Sequence, residues 1–277
     1  MSRIRTLLQK HTVEDLFTIV YTVVDDYIKL SLEIGRFKLP NAANQKASYA
    51  EIISIALVGE LLREAHSEHW FIHVKLVYAH LFPSLPDVTR YHRVLKNLER
   101  IMADFALCLA NTNDDSTTYV IDSKPLPICR YKRRAHPRAE TQAASGYATM
   151  GFVHGFKLHA VINNALMFTR FAIVPANDAD ARVCQMLLNG CEDDLTRVLG
   201  DRAYLGCGIV TDSRKNAKKP LPWTKLMDSA RKLIEVAFSS LARGQFLALS
   251  QLNSFWSVRA SVCRKVAGHN LRLWLAL

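Results

Sequence analysis

Through the first 110 residues, apolar positions recur with the period of a helix. Thr12 can cap a helix that runs through VEDLFTIVYTVVDDYIKLSLEI, and Ser48 forms a capping box with Glu51 ahead of IISIALVGELLREAH. HWFIHVKLVYAHLF predicts a third helix that ends at a proline, and Asp87 begins a fourth, DVTRYHRVLKNLERIMADFALCLA. The pattern predicts an all-helical N-terminal domain over residues 1–112, which either binds DNA in helix-turn-helix fashion or serves as a helical cap or dimerisation module.

After the polar stretch NTNDDSTT the apolar positions alternate, which is typical of strands. TYVID is a short strand that ends on Asp122. GFKLHAVINN and LMFTRFAIVPAN are strands joined by a turn at Asn163 and Asn164, and DARVCQMLLNGC predicts a helix. TRVLGDRAY is a strand that reaches Asp201 as it ends, GCGIV is one more short strand, and WTKLMDSARKLIEVAFSSLARGQF is a long helix.

This order of elements is that of the ribonuclease H fold: a strand, a hairpin pair, a helix, two strands and a helix. The sequence therefore predicts an α/β domain over residues 113–277, with a ribonuclease H-like mixed sheet flanked by helices.

The formal net charge of +11 is concentrated in two blocks. Residues 123–159 carry a net charge of +6 and residues 202–277 one of +10, whereas residues 1–121 sum to −1. Nucleic acid, a polyanion, fits such a surface, although a solvated basic face on any enzyme would have the same charge.

Composition narrows the class of protein further. The 277 residues are 49% hydrophobic, which excludes wholesale disorder. The apolar runs fall short of the roughly 18 residues that a membrane-spanning helix needs, and the N-terminus lacks a secretory signal. We expect a cytoplasmic protein without a membrane partner, associated with the nucleoid when it is bound to DNA. Irregularly spaced cysteines argue against a disulfide framework or a zinc ribbon.

Three acidic residues fall where a sheet could bring them together. Asp122 and Asp201 each follow a strand, and a helix packed on that sheet could add Glu235. Taken singly, each acid is more often a cap, turn or surface residue. Three converging carboxylates, however, need a cation, and hard oxygen ligands suit Mg²⁺ or Mn²⁺. Two such ions, about 3.5–4 Å apart, can activate a hydroxyl nucleophile and stabilise the leaving oxygen of a phosphodiester.

Basic residues accompany each of the three acids, as a site that also grips phosphates requires. The loop CRYKRRAHPR adds a basic cluster with Tyr131 as a stacking aromatic, although a solvated loop would have the same composition. The residues predicted to bind DNA on this argument are Lys124, Arg130, Lys132, Arg133, Arg134, Lys157, Arg202, Arg231 and Lys232.

Five segments resemble the transposases of bacterial insertion sequences: YVIDSKPLPIC, MGFVHGFKLHAVINN, VLGDRAY, RKLIEVAFSSL and QLNSFWSVRASVCRKVAGHNL. These enzymes belong to the DDE class, which shares its fold with retroviral integrases and ribonuclease H. The resemblance extends over residues 85–277, and GFKLH and GDRAY are its most specific parts. It implies that Asp122, Asp201 and Glu235 bind divalent metal, cleave the element's ends and join them to target DNA.

Many relatives also carry a signature around the glutamate: a tyrosine, an arginine, the acid, and a lysine seven places further on. Arg231, four residues before Glu235, matches the arginine. Asp228 stands at the tyrosine position and Ala242 at the lysine position, with Arg243 one step further. The resemblance thus adds Arg243 as a substitute phosphate contact, although arginine and lysine are not interchangeable in detail.

These observations predict a DNA transposase that uses two Mg²⁺ or Mn²⁺ ions, with a 3′-hydroxyl or water attacking the scissile phosphate in line. Its partner is double-stranded DNA, both as element ends and as target. Synapsis of two ends implies at least a homodimer, by analogy with the family. Two alternatives stay open: a nuclease of the same fold that cuts without joining, and a catalytically inactive DNA-binding protein.

Overall fold

The computed structural model describes residues 11–39, 45–112, 114–135, 141–148, 151–190, 197–212, 223–244 and 254–276. These residues fall into two compact units. One holds the described residues up to Leu109 and those from Arg259 onward, and the other runs from Ala110 to Arg243 and includes residues 254–258. Among the described residues, no helix has both the length and the apolar character that crossing a bilayer requires.

Five helices lie within the described residues up to Asn111, and both predicted capping arrangements are confirmed. Thr12 and Asp15 exchange side-chain and backbone hydrogen bonds at the start of the first helix, and Ser48 and Glu51 do so at the second. The second helix is buried on nearly every side, as an apolar central helix should be. The five are α1 (Val13–Glu33), α2 (Tyr49–Leu62), α3 (Ser67–Val77), α4 (Val88–Asn97) and α5 (Glu99–Asn111).

The predicted fourth helix is in fact two helices, α4 and α5, so the prediction of one continuous helix was wrong. They meet at Leu98, whose backbone leaves the helical region (φ −89°, ψ 8°). The break contains no proline or glycine. Leu98 is fully buried, so tertiary packing sets the break, overriding the local helical preference.

The C-terminal helix α8 (Phe255–Trp274) contributes most of its length to the helical unit. Arg264 Nε lies 2.7 Å from Glu60 Oε1, and Asn270 Nδ2 donates to the carbonyl of Ala106 at 2.8 Å. These buried polar contacts explain why residues from 259 onward pack with the N-terminal helices. The compact units therefore differ from the predicted domains, which assigned the whole C-terminus to the catalytic part.

The second unit contains a six-stranded mixed sheet in the order β2-β3-β1-β5-β6, with β4 also paired to β3. Strand β3 is antiparallel to β1, β2 and β4, whereas β5 and β6 continue parallel to β1. This topology confirms the ribonuclease H-like fold. The elements are β1 (Tyr119–Cys129), β2 (Ala144–Ala148), β3 (Gly151–Ile162), β4 (Phe168–Pro175), α6 (Asp180–Leu188), β5 (Val198–Gly200), β6 (Val210–Thr211) and α7 (Lys225–Ser239).

Helices cover both faces of this sheet. On one face, Val183 and Leu187 of α6 pack with Ile121 and Val161 in a buried apolar cluster. On the opposite face, the ring of Phe238 in α7 lies 6.1 Å from that of Phe168 in β4. The sheet is therefore held between the two helices that flank the candidate site.

Strand β1 does not end at Asp122, as the sequence predicted, but continues to Cys129. Its partner β3 is long enough to pair along this extension, from Val120 opposite Ile162 to Cys129 opposite His154. Two prolines are tolerated there because β5 pairs only with the first residues of β1 and leaves that edge open. Strand β2 completes an extended ribbon with β1 and β3 and was not predicted.

Gly155 allows β1 and β3 to approach closely within this ribbon. It has φ +152°, and a Cβ built there would lie 2.3 Å from the carbonyl oxygen of Leu126. We expect Gly155→Ala to lower the free energy of unfolding by about 2–4 kcal/mol, through overlap and backbone strain together. Gly35, at φ +67° with open space around it, is the control, and Gly35→Ala should cost about 1 kcal/mol. Urea unfolding measures both, and equal losses would contradict the close approach.

Candidate active site

Two aspartates lie level with each other on neighbouring parallel strands. Tyr119 of β1 pairs with Val198 of β5, and the next residues pair in turn. Asp122 lies three residues after Tyr119, and Asp201 lies three residues after Val198. Both aspartates therefore stand where the β1–β5 pairing ends. The two strands are therefore neighbours, which is the condition on which the sequence argument for the aspartates depends.

Helix α7 brings a third carboxylate towards this edge. The helix packs against β1, β3 and β5, with Ile234 and Phe238 buried beneath it. Glu235, next to Ile234, is exposed. Its negative charge and that of Asp201 both raise the pKa of Asp122, whereas Arg231 lowers it. Asp201, Glu235 and Arg231 are therefore close enough to Asp122 for their charges to affect its ionisation.

The surroundings of Asp122 make its carboxyl group harder to ionise. Burial of its carboxylate is the main cause that raises its pKa to about 6, and the backbone N–H of Ser123, which donates to Oδ1 at 2.7 Å, acts in the opposite direction. Asp201 caps the turn that follows β5, accepting a 2.9 Å hydrogen bond from the N–H of Ala203 at its Oδ1. One oxygen of each aspartate is thus held by the backbone.

The residues of this edge suit a divalent cation in donor type and in charge. Carboxylate oxygens are the ligands that Mg²⁺ and Mn²⁺ prefer, and like charges that raise the pKa of Asp122 would be relieved by a cation. Across the ranges that the structure describes, no cluster of three or more histidine, cysteine, aspartate or glutamate side chains is arranged to hold a metal ion. The three-carboxylate metal site accordingly stays a prediction.

Two of the predicted basic residues share this face of the sheet. Lys124 lies two residues beyond Asp122 on β1, and its Nζ is 5.9 Å from the ring centroid of Phe238. Arg231 is half-buried beside Asp122. Lys232, the next residue of α7, is exposed.

Two others are engaged by acidic partners. Lys157 donates to Asp180 Oδ1 at 2.7 Å and to the carbonyl of Asp178 at 2.9 Å. It pairs with Pro125 across the ribbon, on the face opposite that of Asp122. Arg202 forms an exposed ion pair with Asp212. The DNA contacts predicted for Lys157 and Arg202 would have to compete with these ion pairs.

The basic loop continues directly from β1. A 3₁₀ turn, Tyr131–Arg133, follows the strand, and the Arg134 guanidinium lies 4.5 Å from the ring centroid of Tyr131. Residues 136–140 of the same loop lie outside the described part of the chain, as does the side chain of Arg243. The four predicted phosphate contacts of the loop that the structure describes are all exposed: Arg130, Lys132, Arg133 and Arg134.

Residues 112–247 match the family model described as the transposase DDE domain. This chain carries a DDE-class transposase domain. The match includes all three acids and extends from the polar stretch before β1 to beyond the end of α7. No curated protein and no solved structure matches the chain.

The DDE domain also contains a buried polar network that the sequence did not reveal. Tyr204 places its hydroxyl 3.2 Å from His159 Nδ1, and His159 Nε2 lies 3.6 Å from Asp180 Oδ1. Burial lowers the pKa of His159 to about 4, so its imidazole is neutral at pH 7. The motifs GFKLH and GDRAY contain His159 and Tyr204, and the sheet brings them together behind the two aspartates.

The raised pKa of Asp122 predicts a pH-dependent stability difference in metal-free protein. The folded state binds this proton more tightly than the unfolded chain, whose reference pKa is 3.8. The stabilising contribution of Asp122 to the free energy of unfolding is therefore fully present below about pH 4 and is lost as the pH rises through about 6. The quantity to compare is the free energy of unfolding of Asp122→Asn minus that of wild type at the same pH. We expect this difference to be about 1–2 kcal/mol more positive at pH 8 than at pH 4.

Urea unfolding in EDTA at both pH values measures this difference. Asp25→Asn, which removes a carboxylate paired with Lys29 on the surface of α1, is the control. A difference between Asp122→Asn and wild type that stays constant with pH would contradict the perturbed carboxylate.

Proposed function

We propose that the chain cleaves the ends of an insertion sequence and joins them to target DNA, with Asp122, Asp201 and Glu235 as its catalytic carboxylates. The observation that carries this proposal is that Asp122 and Asp201 stand level where β1 and β5 stop pairing, with Glu235 on the helix that packs against both strands. A catalytic centre is a common reason for like charges to be gathered in a half-buried place. The match to the transposase DDE domain supports the same conclusion.

The proposed cofactor is a pair of Mg²⁺ or Mn²⁺ ions held by these three residues. When bound, such ions supply Lewis acidity to an attacking hydroxyl and to the leaving oxygen of a phosphodiester. The backbone N–H groups of Ser123 and Ala203 orient Asp122 and Asp201 and leave the second oxygen of each aspartate for a cation. The cationic Arg231 favours the ionised form of Asp122, and therefore the form that acts as a ligand.

The proposed DNA path runs from Asp122 towards the basic loop, outside the part of the sheet that α7 covers. Lys124 stands two residues further along the same strand, and the basic loop extends beyond the strand's end. These residues can contact backbone phosphates without reading sequence, which suits an enzyme that must hold both element ends and target. We further propose that the enzyme acts as a homodimer or larger assembly on DNA, because two ends have to be brought together.

A π-helical turn after α7 supports Arg243 as a phosphate contact. The turn spans Ser240–Gly244 and has hydrogen bonds to the fifth residue, so it accommodates one extra residue. The backbone of Arg243 lies within this turn, one residue beyond the family's lysine position.

The catalytic proposal is tested by removing one carboxylate at a time. Asp122→Asn, Asp201→Asn and Glu235→Gln should each reduce strand transfer in Mg²⁺ by at least about a thousandfold, because each removes a ligand of the cations. The assay uses paired element ends and scores cleaved and joined products separately, which distinguishes a transposase from a nuclease. Asp25→Asn should keep wild-type activity. Full activity in any of the three acid variants would refute this assignment.

The basic loop is tested through the salt dependence of DNA binding. Each phosphate contact contributes about 0.9 to the slope of log K against log salt concentration. Changing Arg130, Lys132, Arg133 and Arg134 to Ala should flatten the slope by roughly 2–4 units. Arg182→Ala, which removes an exposed arginine paired with Asp178, should change it by less than about 1. An unchanged slope in the loop variant would show that the loop does not contact phosphates.

A further inference from the structure

Three aromatic side chains cluster at the far end of the ribbon. Tyr147 of β2 and Phe152 of β3 are direct cross-strand partners, with ring centroids 5.4 Å apart at 80°. The ring of Tyr131 stacks on Phe152 at 5.3 Å and 28°. We call these three residues the aromatic platform.

The platform is open to solvent rather than part of a core. Tyr147 is 74% exposed and Phe152 is 62% exposed. Two large adjoining rings in water are costly to maintain and commonly mark a binding surface. Their mutual packing fixes the ring orientation in advance, which lowers the entropic cost of binding a flat ligand.

The surroundings of the platform are positively charged. Arg130 and Lys132 flank Tyr131 in the chain, and the Arg134 guanidinium covers its ring at 4.5 Å. Glu140 is the sole acidic residue in the sequence between Asp122 and Asp178. The ligand is therefore expected to be both anionic and aromatic, which is the chemistry of a nucleic acid.

The platform lies on the same face of the sheet as the candidate active site. Residues of a strand alternate between faces, so Phe152 shares a face with Ala160, eight residues along β3. Ala160 pairs with Asp122. The separation is about 25 Å along the ribbon, the length of roughly seven base pairs. One DNA molecule is therefore long enough to reach both, but it has to pass along the edge of the sheet, because Phe156 and Leu158 between them are fully buried.

We infer that the aromatic platform binds unpaired nucleotides by stacking, while the basic loop contacts the phosphates of the adjoining duplex. Aromatic rings bind the faces of bases, and those faces are hidden within an intact duplex. The platform would therefore prefer DNA with exposed bases, such as a single-stranded flank or a frayed end. This inference rests on the proposed function only in taking DNA as the partner.

The test measures binding by the full chain in EDTA, so that no cleavage takes place. The probes are a blunt duplex and a duplex of the same sequence with a single-stranded overhang that contains 2-aminopurine. Tyr147→Leu and Phe152→Leu remove the flat rings but keep apolar bulk on an exposed surface. We expect each to weaken binding of the overhang probe about tenfold, and binding of the blunt duplex less than about twofold. Quenching of 2-aminopurine on binding should diminish in parallel.

Lys132→Ala is the matched control, because loss of a phosphate contact should weaken binding of both probes by a similar factor. Equal weakening of the two probes by the ring variants, or no weakening, would overturn the inference. A shift from dimer to monomer in sedimentation equilibrium, without the overhang effect, would also overturn it and assign the platform to a second copy of the chain. Because the binding test is made without divalent ions and leaves the three acids unchanged, failure of the catalytic proposal is recognised separately, in the strand-transfer assay.

Discussion

Asp122 and Asp201 carry like charges at the same level of two neighbouring parallel strands, and much of the surrounding structure is organised around that arrangement. The register of β1 with β5 fixes their spacing, and backbone N–H groups of Ser123 and Ala203 hold one oxygen of each. Burial and the nearby charge of Glu235 make ionisation of Asp122 harder still. The ionised form of these carboxylates is stable only with positive charge close by. Arg231 supplies part of that charge, and a bound cation could supply the rest.

The sheet separates two tasks on its two faces. One face bears Asp122 and Lys124 and is partly covered by α7, and we propose that DNA binds at the end of this face where Asp122 and Asp201 lie. The opposite face buries Lys157 and His159 against Asp180, where a neutral imidazole and an ion pair lie behind the strands that carry the aspartates. Lys157, which the sequence suggested as a DNA contact, thus forms an ion pair with Asp180 within the protein. Its position in GFKLH gave no indication of this pair.

Features that depend on neighbours in sequence were predictable, and those that depend on distant partners were not. The capping boxes at Thr12 and Ser48 involve residues three apart, and alternation was enough to identify β3 and β4. The break at Leu98 has no local signal because tertiary packing sets it. The length of β1 depends on how far β3 extends beside it. The sequence therefore predicted that β1 ends at Asp122, whereas only the pairing of β1 with β5 ends there. The convergence of the three acids on one metal site, inferred from the order of elements, stays a prediction, whereas the neighbouring positions of β1 and β5 are observed.

The most direct test of the account is to count the divalent ions that the carboxylates hold. Electron paramagnetic resonance of Mn²⁺ titrated into the protein on uncleaved DNA reports bound ions without requiring catalysis. The account predicts about two tightly bound Mn²⁺ per chain in wild type and at least one fewer in Asp122→Asn. An Asp122→Asn protein that binds the same number of ions with the same affinity as wild type would contradict it.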